Sequence, residues 1–176
     1  MERSLREAII LDYARRRPGY GFEGFAQDER AAAGASEATT TTRAVHRRNP
    51  LCGDEVEVRV ELVTGERPGV VRLRWEGRGC TLSQASAAML AARADGTPVA
   101  ELRRLSHEVR ELISAPAGDD VEDEDVAVDE TEDVAALAGM GRMPLRARCA
   151  ALAWDALDEA IAPSAGSVSD PGRGPR

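Results

Sequence analysis

Residues 55–62, EVEVRVEL, alternate without a break. Val56, Val58, Val60 and Leu62 fall on one side of an extended chain, and Glu55, Glu57, Arg59 and Glu61 on the other. Residues 70–77, VVRLRWEG, repeat the pattern with Val71, Leu73 and Trp75. Between these runs the six residues VTGERP, 63–68, predict a hairpin. Upstream, TTTTRAV at residues 39–45 has strong β propensity and supplies a third strand. The expectation is a small three-stranded antiparallel sheet with one wet face and one buried face.

Elsewhere the period is helical. Ser4 and Glu7 have the spacing of a capping box, and Leu5, Ile9 and Tyr13 then share a face, so residues 4–16 read as a helix that RRRPGYGFEG ends. After residue 81, TLSQASAAMLAARA reads as one helix. Pro98 opens another at its first position, with Leu102, Leu105, Val109, Leu112 and Ile113 as the apolar stripe. A short helix is expected near residues 131–138. Pro144 opens the last helix, with Leu145, Cys149, Leu152, Ala156 and Leu157 inward. Strands come first and helices after, without β-α-β alternation. The fold class is therefore α+β, a sheet covered by helices. One domain is expected over residues 1–162, with a Gly/Ala/Ser-rich loop at 24–38, an acidic insertion at 119–133 and a disordered tail at 163–176.

Composition refines this picture. The chain has 176 residues, of which 43% are hydrophobic, enough for one domain with a core. Aromatics are scarce, so Val, Leu, Ile and Ala must build that core. No window approaches the roughly 18 apolar residues of a membrane span, and no signal peptide is visible. The net charge of -8 comes from one place: residues 119–133 carry ten acids and no base, and the other 21 acids nearly balance 23 arginines. A solvated loop is the ordinary explanation of such a run. The arginines are dispersed and no aromatics interleave with them, which argues against nucleic-acid binding.

Three cysteines remain, too few and too scattered for a disulfide framework, so a reducing cytosol fits. Cys52 lies in NPLCGD, where Gly53 permits a tight bend and residues i and i+2 of an extended segment let Cys52 and Asp54 converge. Cys80 lies where a Gly-rich turn feeds a helix, a place that favours a thiolate. Cys149 lies near the start of the last helix, just after Arg146 and Arg148. Each has an ordinary explanation as well: a loop cysteine, a small turn residue, a buried helix-face thiol. Together with Asp54 they make a tetrahedral set suited to zinc, with a carboxylate that suggests an exchangeable site. Arg78, Arg146 and Arg148 are near enough in sequence to offset its negative charge. The spacing is not a paired CxxC, so spacing by itself says little.

Three blocks, NPLCGDEVEVRVEL, WEGRGCTLSQASAAML and RMPLRARCAALAWDAL, resemble the cysteine motifs of the IscU/SufU iron–sulfur cluster assembly proteins. The resemblance runs from about Asn49 to Ile161, and LREAIILDYARRRPG is similar to the family's first helix. Two details resemble the SufU branch. Arg148 stands where the IscU branch has a histidine, and 68 residues separate Cys80 from Cys149, room for the SufU insertion. Neither His46 nor His107 matches the missing histidine, and His107 is expected on the polar side of its helix.

The resemblance implies a zinc-dependent sulfurtransferase that takes persulfide sulfur from a SufS-type cysteine desulfurase and serves downstream Suf assembly proteins. It implies zinc on Cys52, Asp54, Cys80 and Cys149, with Cys52 as the attacking nucleophile and Arg146 steadying the site's charge. The alternative it implies is a scaffold holding a transient iron–sulfur cluster; a zinc-stabilised adaptor without transfer chemistry is a third reading. Two departures stand out: a longer stretch before Asn49 without the family's usual histidine before the first tyrosine, and the density of the acidic run.

Overall fold

The alternation at residues 55–62 becomes the middle of the molecule. In the computed structural model, which describes residues 3–25, 39–64, 68–115 and 132–163, strand β2 spans Glu55–Thr64 between β1 (Thr39–Arg48) and β3 (Gly69–Arg78). Both pairings are antiparallel, in the order β1-β2-β3. Val56, Val58, Val60 and Leu62 are buried, as are Val45, Leu73 and Trp75 from the flanking strands. The opposite face of β2 pairs its charges, with Arg59 Nε 2.7 Å from Glu57 and Arg72 of β3 2.7 Å from Glu61. The α+β expectation holds, with a three-stranded sheet covered by helices on one face.

Among the described residues five helices follow in chain order: α1 (Arg3–Arg16), α2 (Thr81–Ala94), α3 (Val99–Ser114), α4 (Glu132–Ala135) and α5 (Pro144–Ala160). Helix α5 lies across β1 and β2, and α2 across β3. α1 packs on α2, and α3 on α5. The α2–α5 seam is drawn tight by small residues, Ala85, Ala88, Ala153 and Ala156, which let the backbones approach around the buried Trp154. Trp154 Nε1 donates to Ser86 Oγ at 3.0 Å, and Ser86 Oγ donates to the Ala150 carbonyl at 2.6 Å. This polar chain is buried and satisfied, and it fixes α5 lengthwise against α2. At the far end of α5, Arg43 reaches from β1 to the carbonyl of Ala160 at 3.1 Å, one of the acceptors a helix end leaves without a partner.

Several expectations need correction. Leu5 and Leu145, expected inward, are 53% and 50% exposed. The inner stripe of α1 instead runs through Arg6, Ile9, Ile10 and Tyr13; Arg6 donates to the Ala138 carbonyl at 3.1 Å, and Tyr13 to Asp133 at 2.6 Å. Pro98 caps α3 from just outside, and Val99 is the first helical residue. In β3 a bulge opposite Glu61 and Leu62 breaks the alternation, so Val70, 1% exposed, pairs with Leu62. The loop at 24–38, the acidic run at 119–133 and the tail at 163–176 lie outside the described residues except at their ends.

Candidate metal centre

Two loops and one helix meet at one end of the sheet. The turn between β1 and β2 is closed by its own backbone: Asn49 N donates to the Asp54 carbonyl at 2.8 Å, and Gly53 N to the Asn49 carbonyl at 2.9 Å. Gly53 has φ +79°, a conformation that a side chain disfavours, and that turn delivers Cys52 and Asp54 to the same side. Asn49 is buried and is the keystone of the turn: its Oδ1 accepts from Leu51 N at 3.1 Å and its Nδ2 donates to Cys149 Sγ at 3.5 Å.

Cys149 sits in the second turn of α5, 5% exposed, facing that loop. Its Sγ is 3.3 Å from Cys52 Sγ. The donor atoms of Cys52, Asp54 and Cys149 all lie within 4.8 Å of one another. Within this group of three Cys52 is exposed whereas Asp54 and Cys149 are buried, and the neighbouring Cys80 is exposed as well.

Cys80 approaches from the other side as the N-cap of α2. Its sulfur accepts from Ser83 N at 3.5 Å, and its backbone N donates to Asp54 Oδ2 at 3.2 Å. The Cys80 thiol is therefore beside the cluster and tied to it through Asp54, while remaining outside the tight group of three. Gly79 makes this contact possible. A Cβ there would lie 2.6 Å from both Asp54 Cγ and Ser83 Oγ. Two residues that the sequence reading did not single out, Gly79 and Ser83, thus shape the site; the only hint of Gly79 was its place directly before a helix cap.

The electrostatics follow from burial. Burial pushes the Cys149 thiol far above its ordinary value, and hydrogen bonding with Cys52 and Asp54 pushes the same way. Burial also acts to raise Asp54, but the hydrogen bonds from Cys80, Cys149 and Ser83 outweigh it and hold the carboxyl below the usual carboxylate range. A carboxylate held ionised beside two thiols is a donor set that could hold a cation, and a bound dication deprotonates a coordinating thiol. In a tetrahedral zinc site with Zn–S near 2.3 Å, ligand sulfurs stand roughly 3.7 Å apart. The 3.3 Å separation of Cys52 and Cys149 is close to that span. Two sulfurs and one oxygen, with a third sulfur adjacent, fit a borderline-soft metal such as zinc or iron.

The arginines are placed less directly. Arg78 pairs with Glu55 at 2.8 Å, and Arg146 and Arg148 are exposed. His107 is on the polar side of α3, with its side chain 73% exposed, and takes no part in the site.

Residues 27–167 match the family model of the NifU-like N-terminal domain. The chain belongs to the IscU/SufU family. Its relatives include the zinc-dependent sulfurtransferase SufU of Bacillus subtilis (strain 168), 30% identical over 69% of this chain and 76% of that one. They also include the iron–sulfur cluster assembly scaffold protein IscU of Streptococcus pyogenes serotype M1, 32% identical over 69% of this chain and 70% of that one. Among solved structures, the nitrogen-fixing NifU-like protein (N-terminal) from Brucella abortus superposes with a TM-score of 0.59 at 20% identity, covering 87% of this chain and 89% of that chain. That last likeness carries the fold. Membership in the IscU/SufU family accords with the three cysteine blocks and with the cluster those blocks form at the end of the sheet.

Proposed function

We propose that this chain is a zinc-dependent sulfurtransferase of iron–sulfur cluster assembly. It accepts persulfide sulfur from a SufS-type cysteine desulfurase and passes it to downstream Suf assembly proteins. The observation that carries this reading is the asymmetry of the tight group of three, whose one exposed thiol, Cys52, stands against a buried thiol and a buried carboxylate, while the exposed Cys80 is held as the cap of α2. A scaffold that encloses a cluster has no need of one exposed sulfur, whereas an acceptor must present a nucleophile to a partner. Arg148 beside Cys149 supports the SufU branch, and so does the insertion holding α3.

Cys52, Asp54, Cys80 and Cys149 would hold the zinc. Bound zinc keeps thiols deprotonated at neutral pH and masks them from stray oxidants. The chain's own residues do the rest. Asn49 and Gly53 hold Cys52 at the mouth of the site. The Cys52 thiolate attacks the terminal sulfur of the partner's persulfide; a sulfur–sulfur bond forms on Cys52 as the partner's breaks, and the partner's cysteine leaves as a thiolate. Asp54, held by Cys80 N, keeps the loop from collapsing while Cys52 is engaged.

The test is desulfurase turnover on cysteine, with and without the zinc-loaded chain. A large rise that disappears in Cys52→Ala is expected. An unchanged rate with a cognate desulfurase would overturn the reading. A stable iron–sulfur chromophore after anaerobic reconstitution, in place of that rise, would favour the scaffold alternative.

A further inference from the structure

We propose that Cys52 and Cys149 are a redox couple: peroxide joins them in an intramolecular disulfide that removes both sulfurs from the metal and closes the sulfur-accepting position. The bond itself is inferred from the geometry of the two thiols; that it closes the sulfur-accepting position rests on the sulfur-transfer reading.

Three features single out this pair. The sulfurs are 3.3 Å apart although the residues are 97 apart in sequence, so bonding needs an approach of only about an ångström. Cys52 is exposed and Cys149 buried, the arrangement of an attacking and a resolving cysteine; Cys80 is exposed as well, so it is the sulfur–sulfur distance that selects Cys52. Asn49 touches both halves, donating from Nδ2 to Cys149 Sγ at 3.5 Å and accepting at Oδ1 from Leu51 N, the residue before Cys52. The third thiol is engaged differently. Cys80 Sγ accepts from the first turn of its own helix, Ser83 N at 3.5 Å, and it lies outside the tight group. Cys52 is moreover on a turn with a glycine hinge at Gly53, whereas Cys80 and Cys149 are both held at helix starts, so Cys52 is the sulfur that can move.

The chemistry balances. The exposed Cys52 thiolate attacks one oxygen of hydrogen peroxide, giving a sulfenic acid on Cys52 and, after protonation, one water. The Cys149 thiol then attacks the Cys52 sulfur; the S–O bond breaks, the hydroxyl leaves with the thiol proton as a second water, and the disulfide remains. Peroxide is the two-electron oxidant, and the two thiols are oxidised. A dithiol reductant reverses the step by exchange.

The experiment treats the full-length chain with hydrogen peroxide, as purified and again after chelation, then alkylates free thiols and maps peptides without reduction. The expected dominant product links the Cys52 peptide to the Cys149 peptide, leaves Cys80 alkylated, forms faster after chelation and disappears with a dithiol. Cys80→Ser still forms the link between the Cys52 and Cys149 peptides and loses it with a dithiol. Cys149→Ser loses the link and drives Cys52 on to sulfinic acid; should that variant fail to fold, the Cys80→Ser result decides. A dominant link through Cys80, a link between two chains, or sulfinic Cys52 in the unsubstituted chain would overturn the inference.

Discussion

Asp54 Oδ2 accepts the backbone N–H of Cys80 at 3.2 Å, across 26 residues of sequence. One carboxylate therefore ties the loop before β2 to the cap of α2, and any metal bound by Asp54 is positioned by both. The cluster is consequently sensitive to residues that never touch a metal.

Gly79→Ala tests that dependence. The added Cβ would lie 2.6 Å from Asp54 Cγ and must push the carboxylate away from Cys80. Zinc affinity, measured by competition with a chromophoric chelator, should fall about 10–100-fold, the range for disturbed supporting contacts. Because the displacement is local, the far-ultraviolet circular dichroism should not change. Unaltered affinity would show that the Asp54–Cys80 contact is dispensable.

Removing the metal should leave a folded domain. The core from Val56 to Ile161 is built of Val, Leu, Ala and two tryptophans, and the metal donors sit at one end of it. Chelation should lower Tm only by the linkage of binding to folding, and unfolding should stay cooperative. Loss of the transition in calorimetry would instead support the adaptor reading, in which the metal holds the fold.

Ser86→Ala should destabilise by about 1–3 kcal/mol, because it leaves the buried Trp154 N–H without an acceptor. Urea denaturation measures this. Ser86 also bonds the carbonyl of Ala150, the residue after Cys149, so the same variant should weaken zinc binding. A stability loss without an effect on zinc would separate the α2–α5 seam from the site.

Alkaline pH should act through Tyr13. Burial, then the hydrogen bond to Asp133, raises its hydroxyl above the ordinary value of 10.0. The folded state thus holds this proton more tightly than the unfolded chain. The contribution is complete below about pH 10 and is lost as pH rises through the folded value. Tyr13→Phe should cost about 1 kcal/mol near neutral pH, and the difference from the unsubstituted protein should shrink above pH 10. A gap that stays constant to pH 11 in chemical denaturation would contradict this.

Much of this arrangement was legible in the sequence because it is periodic. The alternation from Val56 to Leu62 fixed which side of β2 is buried, and the same reading put His107 on the outside of its helix. Periodicity misled near the starts of α1 and α5, where Leu5 and Leu145 are exposed and the inner stripe of α1 runs through Arg6, Ile9, Ile10 and Tyr13. It also broke at the β3 bulge, where pairing with Leu62 moved to Val70. At the site, the local signals at Cys52, Gly53 and Cys80 were visible because caps and turns are local chemistry. The roles of Asn49, Gly79 and Ser83 arise from contacts with distant segments, Cys149 for the first and Asp54 for the other two, which no spacing encodes.

The hairpin of β2 and β3 serves as a caliper. Glu55 pairs with Arg78, so the loop carrying Cys52 and Asp54 and the turn carrying Gly79 and Cys80 leave the sheet side by side. Slipping β3 by one residue would shift Cys80 by about 3.4 Å and turn its strand over, destroying the gap that Asp54 bridges. The bulge lies toward the other end of the hairpin, between Glu61 and Leu62, so irregularity is absorbed at the handle while the jaws keep their setting. A single residue inserted between Glu55 and Glu61 would accordingly open the jaws.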